Sequence, residues 1–358
     1  MNVIYDYQIM IGQKYGGISR YFYELIQRFS VADGISPRLY CVFNDNAYFR
    51  GNRRSISYSR VRGRRSINKM IIKFMLSFSK YDIFHPTYYD PYFLDYNKGK
   101  LVLTVYDMIH ELMPYYFSQE DSTVENKKKL IYKADKIIAI SENTKRDILK
   151  LYPDIDQNKI SVIYIGSNFK PIKNNKLDCR FPQRYVLFVG TRRIYKNYLN
   201  FYESMKPILQ MDSSLHLVCA GGGAFTQEEI DLQKDNIDRI HQVNIDDVAL
   251  SYAYSHAQCF VFPSLYEGFG IPTLEAFACN CPVVLSNASS MPEVGGDAVV
   301  YINPYDIADM TKKIKMVLDN EDMRKDLIKK GKEQLKKFDW DKIATQTLDC
   351  YREVIEGM

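Results

Sequence analysis

The chain has 358 residues, of which 46% are hydrophobic and 25% charged, and its net charge is +5. That length suits two domains of ordinary size, and that composition excludes a disordered or collagen-like chain. No run reaches about 18 consecutive apolar residues, so no membrane-spanning helix is expected.

The N-terminus, MNVIYDYQIMIGQKYGG, lacks the basic and apolar regions of a secretion signal. Seven cysteines are scattered without a C-x-x-C pair, so buried reduced thiols of a cytoplasmic protein are the expectation, not zinc or disulfides.

In chain order, a short strand at Val3–Tyr5 leads to Gly16–Gly17 and an amphipathic helix carrying Ile18, Phe22, Leu25, Ile26 and Phe29. LYCVF (39–43) reads as a strand. Residues 50–66 are basic and irregular, and 67–79 read as an amphipathic helix. YDIFHP, KLVLTVYD and DKIIAIS are short apolar strands. The last leads through a Ser141 cap into a helix, and KISVIYIG ends the first half. After 167–182 the same grammar restarts: YVLFVG, LHLVCAGGG, RIHQV, CFVFPS, PVVLSN and AVVYIN are strands alternating with helices, and three helices close the chain. Buried strands alternating with helices imply two α/β domains with parallel, doubly wound sheets. Ligands of such sheets sit at the carboxyl ends of the strands.

Between Asn46 and Tyr81 stand ten Lys or Arg and no Asp or Glu. The segment carries +10, leaving 5 − 10 = −5 for the rest, so the basic character is a local patch. It fits either a solvated surface or an anionic membrane, with Ile67, Met70, Ile71, Phe74, Met75 and Phe78 available to an interface. No RNA or DNA motif accompanies the charge, so no nucleic-acid partner is expected.

The densest chemistry is PSLYEGFGIPTLEAFACNCPVV (263–284). Gly268 and Gly270 permit close backbone approach. Pro272 suits a first helical turn. Amides around Phe269, Gly270 and Ile271 would face an anion at the helix start. Glu267 and Glu275 cannot bind phosphate and suit hydroxyls. A diphosphate between two polyols, a nucleoside-diphosphate sugar, satisfies both. A capped helix start with solvent-facing acids fits the spacing about as well.

The block 263–304 resembles the signature of the family 4 retaining glycosyltransferases of GT-B fold. GGISRYFYEL, DIFHPTYYDP, TVYDMIHELMP, AISENTKRDIL, FVGTRRIYKN and FDWDKIA resemble the family's other blocks. The resemblance implies two Rossmann-like domains facing across a cleft: 1–168 on the acceptor side, 169–340 binding the donor, and 341–358 a helix packing back on the first domain. It further implies metal-independent, retaining sugar transfer with no cofactor. Glu275 would hold the donor ribose, and Glu267 would face the donor hexose as a candidate catalytic carboxylate. Phe269, Gly270 and Ile271 would offer amides. Lys196 would neutralise the diphosphate. Gly16, Gly17 and Gly190 would let backbone approach it, and the backbone at Val243 would meet the base.

Two departures stand out. Many members carry Arg five residues before the lysine, where this chain has Thr191, so Arg192 or Arg193 is expected to replace that charge. Many members carry His-Asp where this chain has Tyr106-Asp107. Asp107 and His110 therefore join the candidate catalytic set, with Tyr106 and His85 on the acceptor side; an ordinary loop histidine at 110 and a hydrogen-bonded structural histidine at 85 fit about as well. Asp154 and Asp156 form D-x-D but read as a turn, not a metal site.

The expected partners are a GDP- or UDP-sugar, a glycan or lipid-linked glycan acceptor, and an anionic membrane at residues 46–81, with the protein cytoplasmic and peripheral. Mannose transfer in surface polysaccharide (O-antigen or capsule) synthesis is the first expectation. A nucleotide-sugar epimerase, a glycan phosphorylase and a non-catalytic nucleotide-sugar-binding subunit remain alternatives.

Overall fold

A strand such as Tyr185–Val189, apolar at every position and buried on both faces, needs cover on both sides. The computed structural model, which describes residues 1–49, 63–171, 181–192, 194–244 and 246–357, meets that need twice. The chain divides into two compact units, Met1–Gly166 with Trp340–Met358, and Ser167–Asp339.

In the first unit the strands are β1 (Asn2–Tyr5), β2 (Ser36–Leu39), β3 (Ile83–His85), β4 (Lys100–Val105), β5 (Lys136–Ala139) and β6 (Ile160–Val162). They form one sheet in the order β2-β1-β3-β4-β5-β6, and every pairing is parallel. The second unit contains β7 (Tyr185–Val189), β8 (His216–Ala220), β9 (Ile240–Val243), β10 (Cys259–Phe262), β11 (Val283–Ser286) and β12 (Val300–Ile302). Its order is β12-β11-β10-β7-β8-β9, again all parallel. Strand order reverses between β1 and β3 in one unit and between β7 and β10 in the other. Such a reversal opens a crevice at the carboxyl ends of the two flanking strands.

Two elements differ from the sequence expectation. The strand expected at 39–43 is Ser36–Leu39 instead. The amides of Val42 and Phe43 donate to the buried Asn68 side chain, so they are withdrawn from the sheet. The helix expected from residue 67 runs over Arg64–Phe78, starting directly after Gly63 in a left-handed conformation (φ 83°).

The last helix, Trp340–Glu356, completes the first unit. Its Tyr351 hydroxyl meets the Tyr5 hydroxyl at 3.0 Å and His85 Nδ1 at 2.6 Å, all buried. Arg28 pairs with Asp341 at 2.6 Å, and Lys136 with Glu353 at 2.9 Å. The six described cysteines are free and buried. No helix among the described residues is long and apolar enough to cross a membrane.

Candidate active site

The second unit's crevice is built by the loops after β7 and β10. Lys196 follows β7, and Glu267 follows β10. They meet, with Lys196 Nζ 2.5 Å from Glu267 Oε1, both side chains largely withdrawn from solvent. Each is held in place. Asn197, buried and in the left-handed region (φ 60°), donates from Nδ2 to the carbonyls of Pro263 (3.2 Å) and Pro304 (2.6 Å). The Leu265 amide donates to the Tyr195 carbonyl at 2.8 Å, tying the two loops together. The Glu267 amide donates to Ser289 Oγ at 2.9 Å, and Ser290 Oγ donates to the carbonyls of Glu267 and Phe269.

Gly270 caps the helix Ile271–Ala278 with φ 103°, where a Cβ would also stand 3.1 Å from Met291 Sδ. Any other residue would be strained there. The amides of Gly270 and Ile271 donate to no acceptor among the described residues, as suits a helix start that receives an anion. Phe269 is buried, its ring edge-on to Phe338, so it contributes backbone and packing. One turn into the helix, Glu275 accepts at 3.3 Å from the buried Tyr254 hydroxyl. Burial and the nearby Glu275 raise the Tyr254 pKa well above its ordinary value, so that phenol stays a donor.

Gly190 has φ 118° and open space where a Cβ would lie. The Val243 carbonyl is taken by the Gly221 amide at 2.8 Å, which fixes the glycine run Gly221–Gly223 against β9. Arg192 departs from expectation. Its guanidinium is buried and fully engaged: Nε donates to Glu229 at 2.7 Å, Nη1 to the Gly221 carbonyl, and Nη2 to the carbonyls of Gly223 and Ala224. It organises the glycine loop, and a phosphate would have to displace Glu229 to reach it. Arg193 lies outside the described residues.

In the first unit, Gly16 (φ 173°) is the N-cap of the helix Gly17–Phe29. The Gln13 side chain accepts from the Ser19 amide and crowds the space a Gly16 Cβ would need. Asp107 accepts from the Ile109 amide, and its carbonyl accepts from Lys127 Nζ at 2.9 Å. Lys127 is wholly buried and pairs with Glu111 at 3.0 Å. His110 stacks on Phe117 at 3.8 Å, lies 3.5 Å from Asp121, and has a buried Nδ1 without a partner among the described residues. Burial, then the Lys127 charge, lowers its pKa.

Two acceptor-side expectations need correction. His85 has no exposed surface; Nδ1 meets Tyr351 and Nε2 meets Thr104 Oγ1 at 2.8 Å. Burial pushes its pKa down to about 3, so it is a neutral core histidine. Tyr106 is buried too, donating its hydroxyl to the Thr87 carbonyl at 3.4 Å. Of the D-x-D pair, Asp154 accepts from Tyr132, and Asp156 caps the turn Gln157–Lys159.

Comparison with known proteins identifies the family and the fold. The profile described as "Glycosyltransferase Family 4" matches residues 15–169, and "Glycosyl transferases group 1" matches 169–334. The chain belongs to the family 4, group 1 glycosyltransferases. It is 27% identical to O-antigen chain mannosyltransferase B of Escherichia coli over 75% of this chain and 74% of that one. It is 29% identical to O-antigen chain mannosyltransferase RfbU of Salmonella typhimurium, over 65% of each. Among solved structures, sucrose-phosphate synthase from Thermosynechococcus elongatus superposes with a TM-score of 0.75 at 20% identity, covering 100% of this chain and 99% of that one. Anabaena HepE in complex with UDP-glucose superposes at 0.72 and 14%, covering 100% of both. The fold is therefore the GT-B fold.

Proposed function

We propose that this glycosyltransferase is a retaining, metal-independent hexosyltransferase that moves mannose from GDP-mannose to a glycan or lipid-linked glycan in surface polysaccharide synthesis. The observation that carries the reading is the Lys196–Glu267 contact at the β7/β10 reversal, beside the open amides of Gly270 and Ile271. The O-antigen mannosyltransferases among the relatives support mannose and the acceptor class.

The chemistry follows from charge. As the sugar–phosphate bond breaks, negative charge grows on the departing diphosphate. Lys196 and the helix-start amides stabilise that charge. Glu267 orients Lys196 and accepts from hexose hydroxyls, and Glu275 accepts from the ribose. The acceptor attacks from the leaving-group face, its proton passing to the departing diphosphate.

The helix Arg64–Phe78 docks the protein on an anionic membrane. Met70, Phe74 and Phe78, four residues apart, are 65%, 59% and 76% exposed, with Arg65, Lys69 and Lys73 on the same helix. Residues 50–62 of the basic segment lie outside the described residues.

The test is incubation with GDP-mannose and with UDP-sugars in EDTA, following nucleotide release and transfer to acceptor. GDP release from GDP-mannose in EDTA is expected. Turnover that disappears in EDTA and returns with a divalent cation would overturn metal independence. Turnover confined to UDP-sugars would overturn the donor assignment.

A further inference from the structure

The first unit has a crevice of its own. A cavity of about 290 Å³ opens where β1 and β3 end and the strand order reverses. Tyr7, Gln8 and Gly12 line it from the segment after β1; Tyr88 and Asp90 line it from the segment after β3; Arg65 comes from the helix Arg64–Phe78. The volume lies at the lower end of the range for ligand pockets, about the scale of one sugar residue and not of an oligosaccharide.

Its polar floor is rigid. The Gln8 side chain donates to Asp6 Oδ2 (2.8 Å) and the Asp90 carbonyl (3.1 Å), and accepts from the Asp90 amide (2.7 Å). Asp6 is fully buried and also accepts from Thr87 and Tyr92. A buried network of this kind holds its members in one geometry.

Two groups in the lining are left over. The Tyr7 ring is buried, yet its hydroxyl has no hydrogen-bond partner among the described residues. A buried hydroxyl without a partner is unusual and costs free energy, so its place invites a polar ligand. The Asp90 carboxylate is balanced by Lys69 at 3.7 Å. Arg65 makes no ion pair among the described residues, so it is the surplus charge of the lining. Aromatic walls, a locked amide and carboxylate, and a buried, unpartnered hydroxyl suit a polyol. A surplus guanidinium suits a phosphate.

From these observations we infer that this cavity binds a single sugar residue carrying a phosphate, the sugar on Tyr7 and Tyr88 and the phosphate on Arg65. It would be the acceptor's recognition element, a role that rests on the transferase reading above; the binding chemistry does not. The phosphate could be that of a free sugar phosphate or of a lipid-linked sugar, and both present the same group to Arg65.

The experiment is calorimetry on the full chain with GDP held at saturation, so that the second unit's site is filled. The probes are α-mannose 1-phosphate, methyl α-mannoside and inorganic phosphate. The sugar phosphate is expected to bind tightest. Arg65→Gln should remove its advantage over the glycoside, a loss of about tenfold or more. Tyr7→Phe should weaken both sugar probes and leave inorganic phosphate unaffected. Gly12→Leu should block every probe, because a Cβ on Gly12 meets nothing within 4 Å and projects into open space. Unchanged GDP affinity and unfolding midpoint would verify that each variant is folded.

Sugar phosphate binding no tighter than inorganic phosphate would overturn the inference, as would binding that survives both Tyr7→Phe and Gly12→Leu. A mannosyl phosphate on a short prenyl chain in micelles separates the sources: tighter binding than the free sugar phosphate assigns the lipid-linked form, and equal binding the free one. If neither GDP-mannose nor any UDP-sugar is turned over but these affinities hold, the proposed transfer reaction fails and the pocket stands.

Discussion

At the scale of single residues, Lys196 and Glu275 belong to one motif but should fail differently. Lys196 faces charge that grows only as the bond breaks, so Lys196→Ala should lower kcat about 100- to 1000-fold, roughly 3–4 kcal/mol of transition-state stabilisation. Glu275, one turn into its helix beside Tyr254, would meet a group that does not react. Glu275→Ala should therefore weaken nucleotide binding about tenfold, the loss of a charge-assisted hydrogen bond or two, with a smaller effect on kcat. Steady-state kinetics with nucleotide titrations decide it, and the reverse pattern would reassign both residues. Arg192 makes a contrasting case. Removing it strands the buried Glu229 carboxylate, which otherwise keeps only the Thr226 amide of the capping box, the Glu229 amide donating in turn to the Thr226 hydroxyl. Arg192→Ala should cost about 3–5 kcal/mol of stability. The urea midpoint should fall accordingly, and Glu229→Gln in the same chain should restore part of it. A midpoint unchanged by Arg192→Ala would return the arginine to the list of phosphate ligands.

At the scale of elements, the helix Arg64–Phe78 turns one face inward through Asn68, Ile72 and Leu76 and leaves Met70, Phe74 and Phe78 outside, the two phenylalanine rings 4.9 Å apart. A core helix does not need that outer stripe. Phe74→Ser with Phe78→Ser should leave the unfolding midpoint within about 0.5 kcal/mol of wild type, since exposed positions contribute little to folding. It should also abolish co-sedimentation with vesicles containing anionic lipid. Equal sedimentation of variant and wild type would end the membrane reading. The helix itself was legible because its apolar spacing is a local property. So were the strand–helix alternation and the Gly270–Pro272 helix start. What was not legible is which polar side chains meet. Arg192 and Lys196 look alike in FVGTRRIYKN, yet one is consumed by Glu229, 37 residues away, and the other meets Glu267, 71 away. The cavity walled by Tyr7, Tyr88 and Arg65 also had no sequence signal, since it exists only where β1 and β3 lie side by side.

At the scale of the whole molecule, the first unit is closed by a helix from the far end of the chain. Tyr351 on that helix bonds His85 and Tyr5, and Thr104 bonds the other His85 nitrogen. This buried set explains why a histidine inside a motif block is structural, since both ring nitrogens are spent in the core. It also sets a pH dependence. In the unfolded chain His85 takes up a proton near its ordinary value of 6.5, while in the folded chain burial holds it neutral down to about 3. Below pH 6.5 the unfolded state therefore binds more protons than the native one, and stability falls as pH falls. The His85 contribution to that slope approaches about 1.4 kcal/mol per pH unit. Wild type and His85→Gln should accordingly differ in urea stability by an amount that shrinks steadily from pH 7 to pH 5, as only the wild type carries this proton uptake. Tyr351→Phe should cost about 1–3 kcal/mol at pH 7, because it leaves His85 Nδ1 and the Tyr5 hydroxyl buried without their partner. A pH-independent difference between wild type and His85→Gln would mean that the ring titrates in the folded protein, and with it that the C-terminal helix does not seal the first unit as the Tyr351 contacts require.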